Sequence, residues 1–145
     1  MTKTFTILTA ICLLLAGAAG TRIALHAQGA STSTGVFTDA QVKRGEPIYK
    51  EQCAACHGED LVGNDIIPGI TGQMFINNWQ GKSLGDLYDK IQMTMPALNP
   101  GSLTPEQTAD LIAHMLSVSK YPAGTTDLAS KVDALQQITI DAPKN

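Results

Sequence analysis

The sequence predicts an all-α protein, and three observations carry that expectation. Thr38-Asp39-Ala40-Gln41 and Thr104-Pro105-Glu106-Gln107 are helix-opening patterns, each ahead of apolar residues at helical spacing. Ser83-Leu84-Gly85-Asp86 is a further cap, and Leu84, Leu87, Tyr88 and Ile91 then follow at i, i+3, i+4 and i+7. No strand-like alternation runs for a useful length, and no repeat recurs.

Each element follows in order along the chain. Residues 1–27 read as a secretory signal peptide, with Lys3 at the start, an uncharged apolar run over residues 7–20, and Leu25-His26-Ala27 before the cleavage point. That run is short for a membrane span, which takes roughly 20 residues; left uncleaved, it would tether the protein to a membrane. Residues 28–36 are small and polar, a flexible leader. Thr38 caps a helix reaching to about residue 54, with Asp39 complementing its dipole. Residues 57–72 are rich in Gly, Asn, Asp and Pro and form a loop. Residues 73–79 suit a short helix. The helix opened at Ser83 must stop before Pro96, because proline disfavours helical geometry in the residue ahead of it. Asn99-Pro100-Gly101-Ser102 is a turn. The last long helix has Pro105 at its first position and buries Leu111, Ile112, Met115 and Leu116. Its Asp110 and His114 are expected on a solvated face. Residues 37–119 thus form one domain and residues 120–145 an extension, packed on it or trailing it, with a short helix near Val132 and an extended patch at Ile138-Thr139-Ile140.

Composition narrows the function. The chain has 145 residues, enough for one ordinary domain, with 10 Lys+Arg against 13 Asp+Glu. Without residues 1–27, eight basic residues face 13 acidic ones, a net −5. That balance excludes the basic footprint of a nucleic-acid binder. Aromatic residues are only 5% of the chain, thin for a core built from side chains alone. Export would leave Cys53 and Cys56 as the only cysteines, in an oxidising compartment.

Cys53-Ala54-Ala55-Cys56-His57 is C-x-x-C-H, the pattern of a c-type haem attachment site. Two cysteines three apart at a helix end share a face, so both sulfurs can bond the vinyl groups of one porphyrin. His57 then offers its imidazole to the iron. A zinc site would need four ligands, usually two cysteine pairs. A thioredoxin-like pair would sit near a βαβ pattern, and a plain disulfide leaves His57 without a role. One covalent haem c would also supply the apolar core that the aromatic-poor sequence lacks, with the helices packed around it.

The second axial ligand has five candidates: Met74, Met93, Met95, Met115 and His114. Met115 lies on an apolar helix face, His114 on a polar one, and Met74 beside Phe75 in a short helix. Met95 stands where the helix must break before Pro96, so its side chain can project from a loop; Met93 is the alternative. Thioether ligation raises the reduction potential and leaves no open position on the iron.

The pieces Cys53-Ala54-Ala55-Cys56-His57-Gly58, Pro68-Gly69-Ile70-Thr71-Gly72, Met95-Pro96 and the helix from Thr104 resemble a class I, mitochondrial-type cytochrome c in order and spacing. The resemblance covers residues 37–118. It implies the cytochrome c fold, with the terminal helices crossing at a small residue, here Gly45. It also implies that the Pro68 carbonyl accepts the second imidazole proton of His57. Trp79 matches an indole that donates to a haem propionate in this family; simple packing is the alternative. Asn78-Trp79-Gln80-Gly81-Lys82-Ser83-Leu84, with Asn99-Pro100-Gly101-Ser102-Leu103, further resembles small cytochromes associated with quinoprotein dehydrogenases. Residues beyond Tyr121 lie outside the family pattern.

The expected function is therefore a periplasmic or otherwise exported one-electron carrier, not an enzyme, cycling between Fe(III) and Fe(II) with His57 and Met95 on the iron. Its expected partners are proteins such as a dehydrogenase and a terminal oxidase or other acceptor, with no nucleic acid and no small-molecule substrate. Two rivals are a peroxidase-like haem enzyme and a dedicated subunit of a quinoprotein dehydrogenase complex.

Overall fold

The computed structural model describes residues 29–143. Along the chain come β1 (Ala30–Ser31), a 3-10 turn (Thr32–Thr34), α1 (Asp39–Gln52), α2 (Ala54–His57), α3 (Gly72–Trp79), α4 (Leu84–Thr94), α5 (Pro105–Val118), α6 (Val132–Leu135) and β2 (Ile138–Thr139). The all-α expectation holds: the strands are two residues each and pair with one another in parallel, with one isolated antiparallel bridge from Thr139 to Ser83. The expected signal segment, residues 1–27, lies outside the described residues.

Helix starts follow the caps. Thr38 Oγ1 accepts from the Gln41 N–H at 3.2 Å. Reciprocal capping boxes close at Ser83 with Asp86 and at Thr104 with Gln107. Each satisfies two backbone donors that a helix start would otherwise leave orphaned. α1 ends at Gln52, two residues short of the expected end, because Cys53 leaves helical geometry (φ −129°, ψ −35°) before α2 begins. α4 stops at Thr94, with Met95 extended ahead of Pro96.

The main packing is α1 across α5. An added Cβ on Gly45 would lie 2.0 Å from the Asp110 carbonyl oxygen, so only glycine permits this approach. Around it, Tyr49, Ile112, Ala113 and Leu116 are fully buried. The closeness of the crossing overturns one expectation. Asp110 and His114 are not on a solvated face; each is 8% exposed. Arg44 of α1 donates to Asp110 from Nε and Nη2 at 2.7 and 2.9 Å, supplying the charged partner a buried carboxylate needs.

The leader is corrected as well. Rather than a flexible segment, residues 29–36 are pinned. Ala30 pairs with Ile138, Ser31 donates a short hydrogen bond to Asp141, and Thr32 is completely buried. Residues 120–143 fold back over the helices. The Gln41 side chain grips the backbone of Leu128 in both directions, accepting from its N–H at 2.6 Å and donating to its carbonyl at 3.0 Å. Leu135 and Ile140 are completely buried farther along.

Candidate functional site

The C-x-x-C-H segment forms the turn from α1 into α2. Tyr49 closes it from one side: its carbonyl accepts from the Cys53 N–H at 2.9 Å, and its hydroxyl donates to the Gly58 carbonyl at 2.5 Å. The His57 N–H and the Cys56 N–H both reach back to the Cys53 carbonyl, at 3.0 and 3.1 Å. The turn therefore sets the relative directions of the two cysteines and the histidine before any ligand arrives.

Both thiols are free. Cys53 is half-buried and packs against the core, while Cys56 is exposed. Burial, and then the neighbouring Cys56, push the Cys53 thiol up to about 11, so it rests protonated at neutral pH.

The loop after His57 is ordered by its own backbone. Gly63 N–H donates to the His57 carbonyl, Asn64 N–H to the Ile67 carbonyl, and Ile70 N–H to the Leu61 carbonyl, each at 2.9 Å. Asn64 Oδ1 accepts from both Ile66 and Ile67. Gly63 has φ +71°, and a Cβ there would sit 2.3 Å from the Ile67 carbonyl oxygen. This folding brings the Pro68 carbonyl to 2.9 Å from His57 Nδ1. Carbonyl oxygen only accepts, so Nδ1 carries the proton and Nε2 keeps its lone pair for a metal.

These residues fit a covalently held haem. The imidazole is fixed in the tautomer an iron ligand needs, two unpaired thiols flank it, and apolar side chains remain exposed in nearby loops: Val62 at 59% and Ile66 at 89%, with Leu98 at 99% beyond Met95. A zinc centre does not fit. Among the described residues no group of three or more His, Cys, Asp and Glu could hold a metal ion.

Comparison with known proteins places the chain in a family. Residues 40–115, just over half of the chain, match the family described as cytochrome c oxidase, cbb3-type, subunit III. The chain belongs to this family of cytochrome c domains. Cytochrome c-551 of Bacillus subtilis (strain 168) is 30% identical over 94 residues, covering 61% of this chain and 73% of that protein. The cbb3-type cytochrome c oxidase subunit CcoP of Rubrivivax gelatinosus is 31% identical over 86 residues, covering 54% of this chain. The match spans only 26% of CcoP. Among solved structures, the sulfane dehydrogenase SoxCD from Paracoccus pantotrophus aligns at 22% identity and a TM-score of 0.49, covering 73% of this chain and 60% of that one.

Cys53, Cys56, His57 and Pro68 of this cytochrome are thus brought together by one turn and one loop. Met95 and Trp79 come from other elements, and both pack half-buried against the hydrophobic core. Met95 is the C-cap of α4, extended at φ −127° and ψ 152°. The other methionines differ: Met115 is buried within α5, and Met74 and Met93 are 49% and 72% exposed. Trp79 ends α3, and the Lys82 ammonium lies 5.0 Å from its ring centroid, a cation–π distance.

Tyr49 both packs in the helix interface and braces the C-x-x-C-H turn. It precedes Cys53 by one helical turn, so the two share a face; that spacing is the signal that ties it to the C-x-x-C-H turn. His114, 5.5 Å from the Tyr49 ring, is held inside the α1–α5 interface with Nδ1 buried and unpartnered.

Proposed function

We propose that the cytochrome is an exported electron carrier with one haem c, passing single electrons between redox partner proteins. Haem, when bound, supplies the Fe(III)/Fe(II) couple. The chain's residues do the rest. Cys53 and Cys56 hold the porphyrin through thioether bonds, His57 Nε2 and Met95 sulfur serve as axial ligands, and the Pro68 carbonyl keeps the proton on Nδ1 and the imidazole oriented. Residues 37–119 form the electron-transfer domain, 120–145 its extension, and 1–27 the export signal.

One observation carries this reading: the His57–Pro68 hydrogen bond within a C-x-x-C-H turn. It is the orienting bond an imidazole ligand requires, and a structural disulfide or a thiol redox site would have no use for it. Membership in a cytochrome c family supports the same conclusion. Holding iron between two protein ligands in both oxidation states keeps rearrangement small, which suits transfer rather than bond-making chemistry. A peroxidase-like role would need a spare imidazole beside an open iron position; the spare imidazole, His114, is packed against Tyr49 instead. Trp79 is proposed to line the haem environment, its N–H free to meet a propionate.

A net −5 mature chain does not dock through a broadly basic face. Partners are expected to present neutral or basic surfaces over small, transient contacts. A dehydrogenase as donor and a terminal oxidase as acceptor fit this role. Similarity to the oxidase subunit CcoP favours a second reading, a dedicated subunit that stays bound to its complex.

Intact mass of the protein purified from the periplasm tests both halves at once. The expected mass is that of residues 28–145 plus one haem, retained through acid-acetone extraction. Colourless protein, or pigment stripped by that extraction, would overturn the proposal. Persistence of a complex on dilution through size exclusion would select the subunit reading.

A further inference from the structure

The segment after Tyr121 has no counterpart in the family pattern, yet it is heavily anchored. Its first half is fixed to α1 and the residue ahead of its cap: Gly124 N–H donates to the Phe37 carbonyl at 2.6 Å, Leu128 is gripped by Gln41, and Asp127 accepts from Arg44 at 3.0 Å. Its second half is fixed to the start of α4. Ile140 exchanges two backbone hydrogen bonds with the connection ahead of α4, its N–H to the Lys82 carbonyl and its carbonyl from the Gly81 N–H, both at 2.8 Å. Ser83, the N-cap of α4, donates to Gln136 Oε1 at 2.7 Å and bridges Thr139. Gly85 lets α4 approach so closely that a Cβ there would meet the Gln136 side chain at 2.5 Å.

α4 packs more extensively against this segment, through α6 and β2, than against α5. Its far end is joined to α5 through Gln92, which donates to the Leu103 carbonyl at 2.8 Å and accepts from Thr108 at 2.6 Å. With an anchor near each end, α4 is a rod of 11 residues, about 16 Å long. Met95 is the residue at its tip.

We propose that residues 120–143 act as a strap that seats α4 and thereby positions Met95 as the sixth iron ligand. The inference rests on the reading that Met95 is that ligand. Its physical content is a population statement. Loosening the strap's grip on α4 raises the fraction of molecules in which the Met95 sulfur is off the iron, and outside ligands then bind in proportion to that fraction. Leu135 and Gln136 are positioning residues in this scheme, neither of them required to touch the haem.

The test uses full-length holoprotein and three substitutions. Leu135→Ala hollows the strap beneath α4. Leu128→Ala hollows the same strap at its α1 end and controls for general loss of stability. Leu135→Met restores volume. Three readouts are compared: the thioether-to-iron charge-transfer band of the ferric protein, ferric binding of added imidazole, and guanidinium unfolding. Leu135→Ala is expected to bind imidazole about tenfold more tightly and to show a weaker charge-transfer band than wild type. Leu128→Ala, at a similar unfolding midpoint, should change imidazole affinity little, and Leu135→Met should restore wild-type behaviour. Equal imidazole affinities for Leu135→Ala and Leu128→Ala would overturn the strap's positioning role. Should wild type lack the band, or Met95→Ala leave it unchanged, the proposal fails at its premise, a result separable from the first.

Discussion

Replacing Gly45 with alanine puts one methyl group where α1 crosses α5. The new Cβ would lie 2.0 Å from the Asp110 carbonyl oxygen, 2.6 Å from its carbonyl carbon and 3.0 Å from the His114 Cβ. Two of those atoms are backbone, so no rotamer change relieves the clash. Restoring a contact of about 3.5 Å moves the helix axes apart by about 1.5 Å. That shift opens gaps among Tyr49, Ile112 and Leu116, each at most 1% exposed, and stretches the paired hydrogen bonds from Arg44 to Asp110. Alanine favours the helix over glycine by roughly 0.5–1 kcal/mol. Overpacking costs about 1–3 kcal/mol, and a backbone-to-backbone clash belongs at or beyond the upper end. The expected net effect is therefore a loss of about 2–3 kcal/mol, read as a lower guanidinium midpoint for the holoprotein at unchanged slope. Gly85→Ala is the matched comparison: the atoms nearest its Cβ belong to the exposed Gln136 side chain, not to backbone, so its cost should be smaller than that of Gly45→Ala, about 1 kcal/mol. A Gly45→Ala protein as stable as wild type would refute the argument that this crossing admits only glycine.

Other outcomes follow from single groups. Tyr49→Phe removes the hydroxyl that braces Gly58 and should cost about 1 kcal/mol in denaturant unfolding. Burial pushes His114 below the usual histidine range, with Lys50 adding to the shift and Glu46 opposing it. The unfolded chain thus binds that proton more readily, so stability falls as pH drops through the ordinary histidine range; His114→Leu should flatten the unfolding midpoint there. Asp127 is held below the usual aspartate range first by the Thr38 hydroxyl and then by Arg44. Its contribution is present above the ordinary aspartate pKa and lost as pH falls below it, so Asp127→Asn should reduce acid sensitivity in that lower window, measured by the same titration of midpoint against pH.

Much of the domain was legible because its signals are local. Ser83 with Asp86, and Thr104 with Pro105 and Gln107, announce helix starts within four residues, and Pro96 announces a stop. The C-x-x-C-H turn was legible for the same reason, being five consecutive residues. What escaped depends on contacts between distant parts of the chain. Ala30 meets Ile138, and Ser31 meets Asp141, across more than a hundred residues, and short polar segments of this kind read as flexible when viewed alone. Asp110 and His114 were misplaced because α5 is buried nearly all round, so a one-sided periodicity does not apply to it. Gly45 carried the necessary hint, since a glycine inside a helix permits a close crossing, and a close crossing buries polar neighbours.

The acceptor for His57 is a main-chain oxygen, and that changes where this site is genetically vulnerable. A side-chain acceptor can be deleted by a single codon change; the oxygen of residue 68 cannot, whatever amino acid stands there. The fragile locus is displaced to Gly63, where any added carbon would collide with Ile67 and drag the acceptor away. Inherited defects in tuning the imidazole should therefore gather at a glycine that never touches it.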